Sequence, residues 1–310
     1  MCSPVSAVSS TMDTVTLPTS TDPRDALSLF SAPTRDWFEG AFESPTHAQA
    51  GAWQAIERNN HVVVVAPTGS GKTLAAFLWA IDQAIRTPPA PTREPADPAL
   101  RCKILYISPL KALAADVERN LRSPLTGIVQ AGQRLGTQVP ELVVGTRTGD
   151  TPANERRKFA KTPPDILITT PESLFLMLTS GARAGLRGVQ TVIIDEIHYV
   201  AGTKRGAHLA LSLERLDQIL TQPARRVGLS ATITPVSAVA EYLAGGRSQQ
   251  DGGRPVTVVQ PISEKIFDIA VEVPVQDLAN PGDSPAGGPQ SVGTPNAGYA
   301  SPQQASVWPH

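Results

Sequence analysis

Cysteine is almost missing from this chain. Cys2 and Cys102 are the two among 310 residues, too few for a disulfide framework, and a reducing cytosol is the simplest setting for them. Long apolar runs are missing too. The longest, VVVV at 62–65 and TVII at 191–194, are far too short to cross a bilayer. The first residues, MCSPVSAVSSTMDTVTLPTSTDP, have neither a basic start nor an apolar stretch, so no secretory leader is expected. A cytoplasmic protein without a membrane partner follows. A dominant charge is the third absence. The net charge is −1, so any affinity for a polyanion has to come from local patches. What is present is a 41% apolar content, enough for a real core, in a length that allows one large domain or two small ones.

Short β-branched runs alternate with longer helical patterns over residues 25–277. The expected strands are 61–66, 103–108, 141–145, 165–169, 191–195 and 226–230. The clearest helix covers 206–220, where Leu209, Leu213, Leu216 and Leu220 recur at i, i+4, i+7 and i+11 on one stripe. Strands that are apolar throughout and separated by helices predict a parallel sheet covered on both faces, a doubly wound α/β domain. Three stretches break the pattern. Residues 1–24 read as a disordered Ser/Thr-rich arm, 87–100 as a proline-rich exposed loop, and 278–305 as a flexible linker rich in Pro, Gly, Ser and Gln.

The strand HVVVV at 61–65 runs into APTGSGKT at 66–73. This is the phosphate-loop pattern G-x-x-x-x-G-K-[ST] with Ala66 in place of its first glycine, a residue small enough for that turn. Gly69 and Gly71 permit consecutive backbone N–H groups to point into one concave anion site, together with Thr68 and Ser70. Lys72 would reach the β- and γ-phosphates of a nucleotide, and the Thr73 hydroxyl would hold Mg²⁺. A helix expected over 72–85 adds its positive N-terminal end. The partner of such a loop is a buried strand ending in acid, and TVIIDE at 191–196 supplies it. Asp195 would hold the metal through water, and Glu196 is placed to orient and deprotonate an attacking water.

Asp195-Glu196-Ile197-His198 is a DEIH box. With it the chain resembles the superfamily 2 helicases of the DEAD/DEAH type, most closely their Lhr (large helicase-related) branch in bacteria, from about residue 37 to 274. APTGSGKTLAAFLWA (66–80) looks like motif I, and YISPLKALAADVERNL (106–121) like motif Ia. RTGDT (147–151) and DILITTPESL (165–174) are similar to the family's nucleic-acid motifs. DEIH resembles motif II, KRGAHLALSLERL (204–216) a segment typical of the branch, and LSATITP (229–235) motif III. PTHAQ at 45–49 resembles the Q motif, which implies that Gln49 reads the adenine edge; its amide carries the acceptor and donor that this needs.

The resemblance implies a RecA-like domain using ATP and Mg²⁺, with Lys72, Asp195 and Glu196 as catalytic residues. It implies a nucleic-acid track of Pro109, Lys111, Arg147, Thr170 and Pro171. Locally, Pro171 fits a helix N1 position, and the Thr170 turn is expected to aim its hydroxyl and free N–H groups outward at a phosphate. Lys111 and Arg147 lie near strand ends. The element coupling nucleotide to nucleic acid would be His198 with Ser230, Ala231 and Thr232. The implied activity is 3′-to-5′ translocation on single-stranded DNA and unwinding of DNA or RNA–DNA duplexes, linked to DNA repair; no stable protein partner is inferred. SVWPH at 306–310 resembles the opening of a second RecA-like domain, so these residues are expected to form a first motor domain with residual ATPase at most and no unwinding. Two other readings stand beside it: a fragment that binds nucleotide or nucleic acid without turnover, and a P-loop ATPase driving something else, such as transport.

Overall fold

The structure, a computed structural model, describes residues 22–58, 60–86, 97–245 and 254–261. The expected linker at 278–305, the stretch 306–310, and most of the arm and of the proline-rich loop lie outside the described residues. The last residues of the arm do not behave as expected. Asp22 accepts from the Arg24 amide and caps a 3-10 helix, Pro23–Leu29, whose Ala26 and Leu27 are buried. Pro98–Leu100, at the end of the proline-rich loop, likewise forms a 3-10 turn capped by Asp97.

Seven strands form one parallel sheet: β1 His61–Val65, β2 Ile104–Ile107, β3 Val144–Arg147, β4 Ile166–Thr169, β5 Thr191–Ile194, β6 Arg225–Ser230 and β7 Val256–Val259, in the order β3-β4-β2-β5-β6-β1-β7. Among the described residues eight α-helices accompany them: α1 Ala32–Ala41, α2 His47–Glu57, α3 Lys72–Arg86, α4 Lys111–Arg134, α5 Ala153–Lys161, α6 Pro171–Leu178, α7 Lys204–Asp217 and α8 Val236–Ala244.

The alternation of a strand's side chains sorts the core into two layers. Val62, Val64, Ile104, Tyr106, Ile166, Ile168, Ile193, Val227 and Leu229 pack on one face with residues of α2, α3 and α4. Val63, Val65, Leu105, Ile107, Leu167, Val192 and Ile194 pack on the other with residues of α6, α7 and α8. Both faces are buried, which is why these strands read as continuous apolar runs rather than as alternating ones. The doubly wound expectation is met.

Two strands depart from the sequence reading. The third begins at Val144 instead of 141, because the Asp165 carboxylate accepts the Val143 amide at 2.8 Å and Val143 spends its carbonyl on the Asp165 and Ile166 amides; Val144 then pairs with Ile166. The seventh strand, VTVV at 256–259, was not expected; it covers the edge of β1, with His61 opposite Val256. The leucine stripe is confirmed at Leu209, Leu213 and Leu216, all buried, while Leu220 lies past the helix end and is only partly buried.

Candidate nucleotide and nucleic-acid sites

In a parallel sheet every strand ends at the same edge, and ligands of open α/β sheets bind there. The phosphate loop follows β1, the DEIH box follows β5, and Ser230-Ala231-Thr232 closes β6, the strand hydrogen-bonded between the other two. Lys111 and Pro109 follow β2, Arg147 ends β3 and Thr170 follows β4, three neighbouring strands. Strand order therefore puts the expected nucleotide residues on one half of the edge and the expected nucleic-acid residues on the other, meeting at β2 and β5.

Gly69 (φ 80°) and Gly71 (φ 78°) take the left-handed conformation that a side chain resists, and α3 starts directly after them at Lys72. The Lys72 ammonium is buried and donates to the carbonyls of Ala66 at 2.5 Å and Pro67 at 2.9 Å. Burial lowers its pKa, while Glu196 and then Asp195 pull it back up, so the cation and both acids of the box share one field. Burial raises the pKa of Asp195, against a hydrogen bond from Tyr106. Burial, and then Asp195, raise that of Glu196, which makes it a better proton acceptor than an ordinary carboxylate.

Glu196 holds φ 41° and ψ 45°, and it is the one non-glycine residue with positive φ among the described residues. Such strain persists only where the surroundings impose it. Here a 3-10 turn, Ile197–Tyr199, follows immediately. His198 Nδ1 lies 3.2 Å from Ser230 Oγ and 3.3 Å from Glu196 Oε2. The expected coupling elements therefore meet, with Ser230 buried at the end of β6; Thr232 is exposed beyond it. Ser70 Oγ is buried without a hydrogen bond, and Glu196 Oε2 has the His198 ring nitrogen at 3.3 Å but no hydrogen bond. Buried polar atoms of this kind require a partner. A loop with two left-handed glycines, an unsatisfied serine hydroxyl, an ammonium and two carboxylates fit a phosphate and a divalent cation. Thr73 and Asp195 are the residues that would hold the metal.

Gln49 sits against the phosphate loop. Thr46 and Gln49 form a capping box at the start of α2, in which Gln49 Oε1 accepts the Thr46 amide at 2.9 Å. Its Nε2 lies 3.4 Å from the Gly71 carbonyl, and Thr46 Oγ1 donates to the Ser70 carbonyl at 2.9 Å. One face of the amide that was assigned to adenine thus supports the loop's backbone.

On the nucleic-acid half, Pro171 occupies the first turn of α6 as expected. The Thr170 reading needs correction: the residue is 2% exposed, and its hydroxyl points inward, accepting from the Ser173 amide at 3.4 Å and donating to Ser173 Oγ at 3.1 Å. Capping α6 uses up the group that was expected to meet a phosphate. Lys111 is exposed and pairs with Asp150 at 2.8 Å. The Arg147 guanidinium lies 5.1 Å over the Phe159 ring, and its Nη1 is buried without a hydrogen bond, so it is no solvated charge.

Two residues escaped the sequence reading. Tyr106, on β2, donates its hydroxyl to Asp195 Oδ2. Arg205, in the first turn of α7, forks onto the Glu172 carboxylate and donates to the Pro109 carbonyl at 2.7 Å, tying together the loops that follow β2 and β4. A tyrosine in an aliphatic strand and an arginine beside a helix N-terminus, where a cation is disfavoured, were the signals available.

Comparison with known proteins gives these residues a family. Residues 46–239 match the model of the DEAD/DEAH box helicase. The chain is 58% identical over 260 residues to the Lhr helicase/probable uracil glycosylase of Mycolicibacterium smegmatis, spanning 84% of this chain and 16% of that protein. It is 51% identical over 290 residues to the Lhr helicase/uracil glycosylase of Escherichia coli, spanning 93% and 18%. Among solved structures, Mycobacterium smegmatis helicase Lhr bound to ssDNA and AMP-PNP superposes with a TM-score of 0.71 at 57% identity, covering 84% of this chain and 31% of that one. The DEAD-box helicase Mss116, at 16% identity and a TM-score of 0.63, shares the RecA-like fold. The chain thus spans less than a third of each of these Lhr proteins, and over the helicase core it belongs to the DEAD/DEAH box helicase family.

Proposed function

We propose that residues 22–261 are the first motor domain of an ATP-dependent, Lhr-type DNA helicase. One observation carries this reading: Lys72 opens the helix that follows β1 while Asp195 and Glu196 follow β5, so the ammonium and the two carboxylates stand at one sheet edge on either side of β6. In this reading Lys72 and the amides of 68–71 hold the phosphates of ATP, and Thr73 and Asp195 hold Mg²⁺, which neutralises charge on those phosphates when bound. Glu196 orients water and takes its proton. His198 and Ser230 relay the state of this pair to the strand that borders it. Arg147 and Lys111 contact the phosphates of single-stranded DNA, with the turn at Thr170 and Pro171 that opens α6 beside them. The ssDNA and AMP-PNP held by the Mycobacterium smegmatis helicase support both ligands.

The 3′-to-5′ direction and the link to DNA repair come with the same resemblance, and the cytoplasmic setting with the scarcity of cysteine; among the described residues no helix is long and apolar enough to cross a membrane. A single RecA-like sheet lies among the described residues, so this chain is expected to bind Mg²⁺-ATP and to unwind nothing alone. The test is ATP hydrolysis with and without single-stranded DNA, on this chain and on one extended to the length of its relatives. DNA-stimulated hydrolysis confined to the longer chain is expected. Strand separation by this chain alone would overturn the division of labour, and absence of stimulation in both would overturn the motor reading.

A further inference from the structure

Tyr106 stands alone among aliphatic residues in β2, ILYI, and it is completely buried. Packing does not explain its oxygen. Burying a hydroxyl without a partner is unfavourable, so a phenylalanine would fill the same space better. Register supplies the reason. Tyr106 is paired with Ile193 on β5, and the side-chain period of two places Asp195 on the same face, one pleat closer to the ligand edge. The phenol spans that diagonal and donates to Asp195 Oδ2. The ring is fixed from the other side, stacked at 5.0 Å and 27° on Phe77. Phe77 belongs to α3, the helix that opens with Lys72. The phosphate-loop helix, the tyrosine and the acid of the DEIH box are therefore joined by two successive contacts.

We propose that Tyr106 is a positioning residue for Asp195: its hydroxyl sets the rotation of the carboxylate, so that Asp195 is in place for the metal before nucleotide arrives. The proposal rests on the reading of Asp195 as a metal-holding carboxylate. Groups that orient a metal ligand are worth about 10- to 100-fold in metal affinity or activity, and a carboxylate acting through a metal-bound water belongs at the lower end.

The experiment titrates Mg²⁺ against a fluorescent ATP analogue bound to this chain, with binding in EDTA and thermal unfolding read in parallel. Tyr106→Phe removes one oxygen and keeps the stack on Phe77. It is expected to raise the Mg²⁺ midpoint about tenfold while leaving metal-free nucleotide affinity unchanged. Asp195→Asn serves as the reference. If Asp195→Asn shifts the Mg²⁺ midpoint and Tyr106→Phe does not, the positioning role is wrong and the metal reading survives. If Asp195→Asn leaves Mg²⁺ dependence untouched, the metal reading falls and takes the proposal with it. Should Tyr106→Phe not fold, 3-fluorotyrosine is incorporated in the otherwise unaltered chain, whose four tyrosines give few fluorine lines. The Tyr106 line is expected to move when Mg²⁺ joins bound nucleotide; a line indifferent to Mg²⁺ overturns the proposal.

Discussion

The side-chain nitrogen of Gln49 lies where a side chain on Gly71 would have to go: a Cβ built at Gly71 meets Gln49 Nε2 at 2.4 Å. The glutamine and the phosphate loop are therefore fitted to each other, and each limits what the other can become.

Gly71→Ala meets two obstacles, the contact with Gln49 and a φ of 78°. It is expected to abolish binding of a fluorescent ATP analogue. Adding Gln49→Ala removes the contact and leaves the backbone strain, so the double variant should stay defective. Restored binding would show that sterics alone, and not the left-handed turn, make glycine necessary there.

Lys72→Ala removes the ammonium at the end of the phosphate loop and should weaken Mg²⁺-ATP binding by more than tenfold, measured by equilibrium dialysis. Unchanged affinity would mean that the loop amides suffice.

Glu196 offers a contrast between two small residues. A non-glycine residue in the left-handed region costs about 1–2 kcal/mol, and glycine gives back part of that in the unfolded chain. Glu196→Gly should therefore be more stable than Glu196→Ala by about 0.5–1 kcal/mol in urea unfolding, with both inactive in the DNA-stimulated ATPase of a full-length protein. Glu196→Gln should retain nucleotide binding there and lose turnover. Equal stability of the glycine and alanine variants would show that the strain is absent in solution.

His61 sets a pH dependence at the far end of β1. Burial, and then Arg226, Arg254 and Arg225, lower its pKa from 6.5 to about 4, and its Nδ1 accepts the Arg226 amide at 2.9 Å. The unfolded chain takes up the proton first as pH falls. Stability contributed by neutral His61 is thus complete above pH 6.5 and declines down to about pH 4, by about 3 kcal/mol at most. His61→Asn keeps an acceptor without a proton to gain, and it should flatten the urea midpoint over that window. An unchanged slope would assign the dependence to other groups.

Arg205 tests the junction of the two halves. Its ion pair with Glu172 is exposed, so Arg205→Ala should cost under about 1 kcal/mol of stability. It releases the Pro109 carbonyl and the first turn of α6, and single-stranded DNA affinity is expected to fall several-fold. Binding carried by phosphates should depend steeply on salt and hardly on base sequence. A loss of stability without a loss of binding would make the pair structural.

The sheet was legible because burial on both faces writes β-branched runs that need no context, and the phosphate loop and DEIH box were legible because their chemistry is contiguous. What escaped was set by register or by side-chain direction. Nothing in ILYI says that Tyr106 lies diagonal to Asp195. TTPES does not reveal that the Thr170 hydroxyl turns inward to cap α6, because the same residues are compatible with a hydroxyl that caps the helix and with one that faces a ligand. The short run VTVV was visible, yet only the bare edge of β1 makes it a strand.

Between the phosphate loop and the acid pair runs β6, laddered to β1 from Val62 to Val65 and to β5 from Thr191 to Ile194. Strands lie about 4.8 Å apart, so this arrangement sets a gap of about 10 Å between the two halves of the nucleotide site, and Ser230 lies on its floor. The gap cannot widen without breaking hydrogen bonds on both sides of one strand. Any movement that binding provokes at this edge must therefore emerge through the loops that follow the strands, because the sheet beneath them is held at constant width.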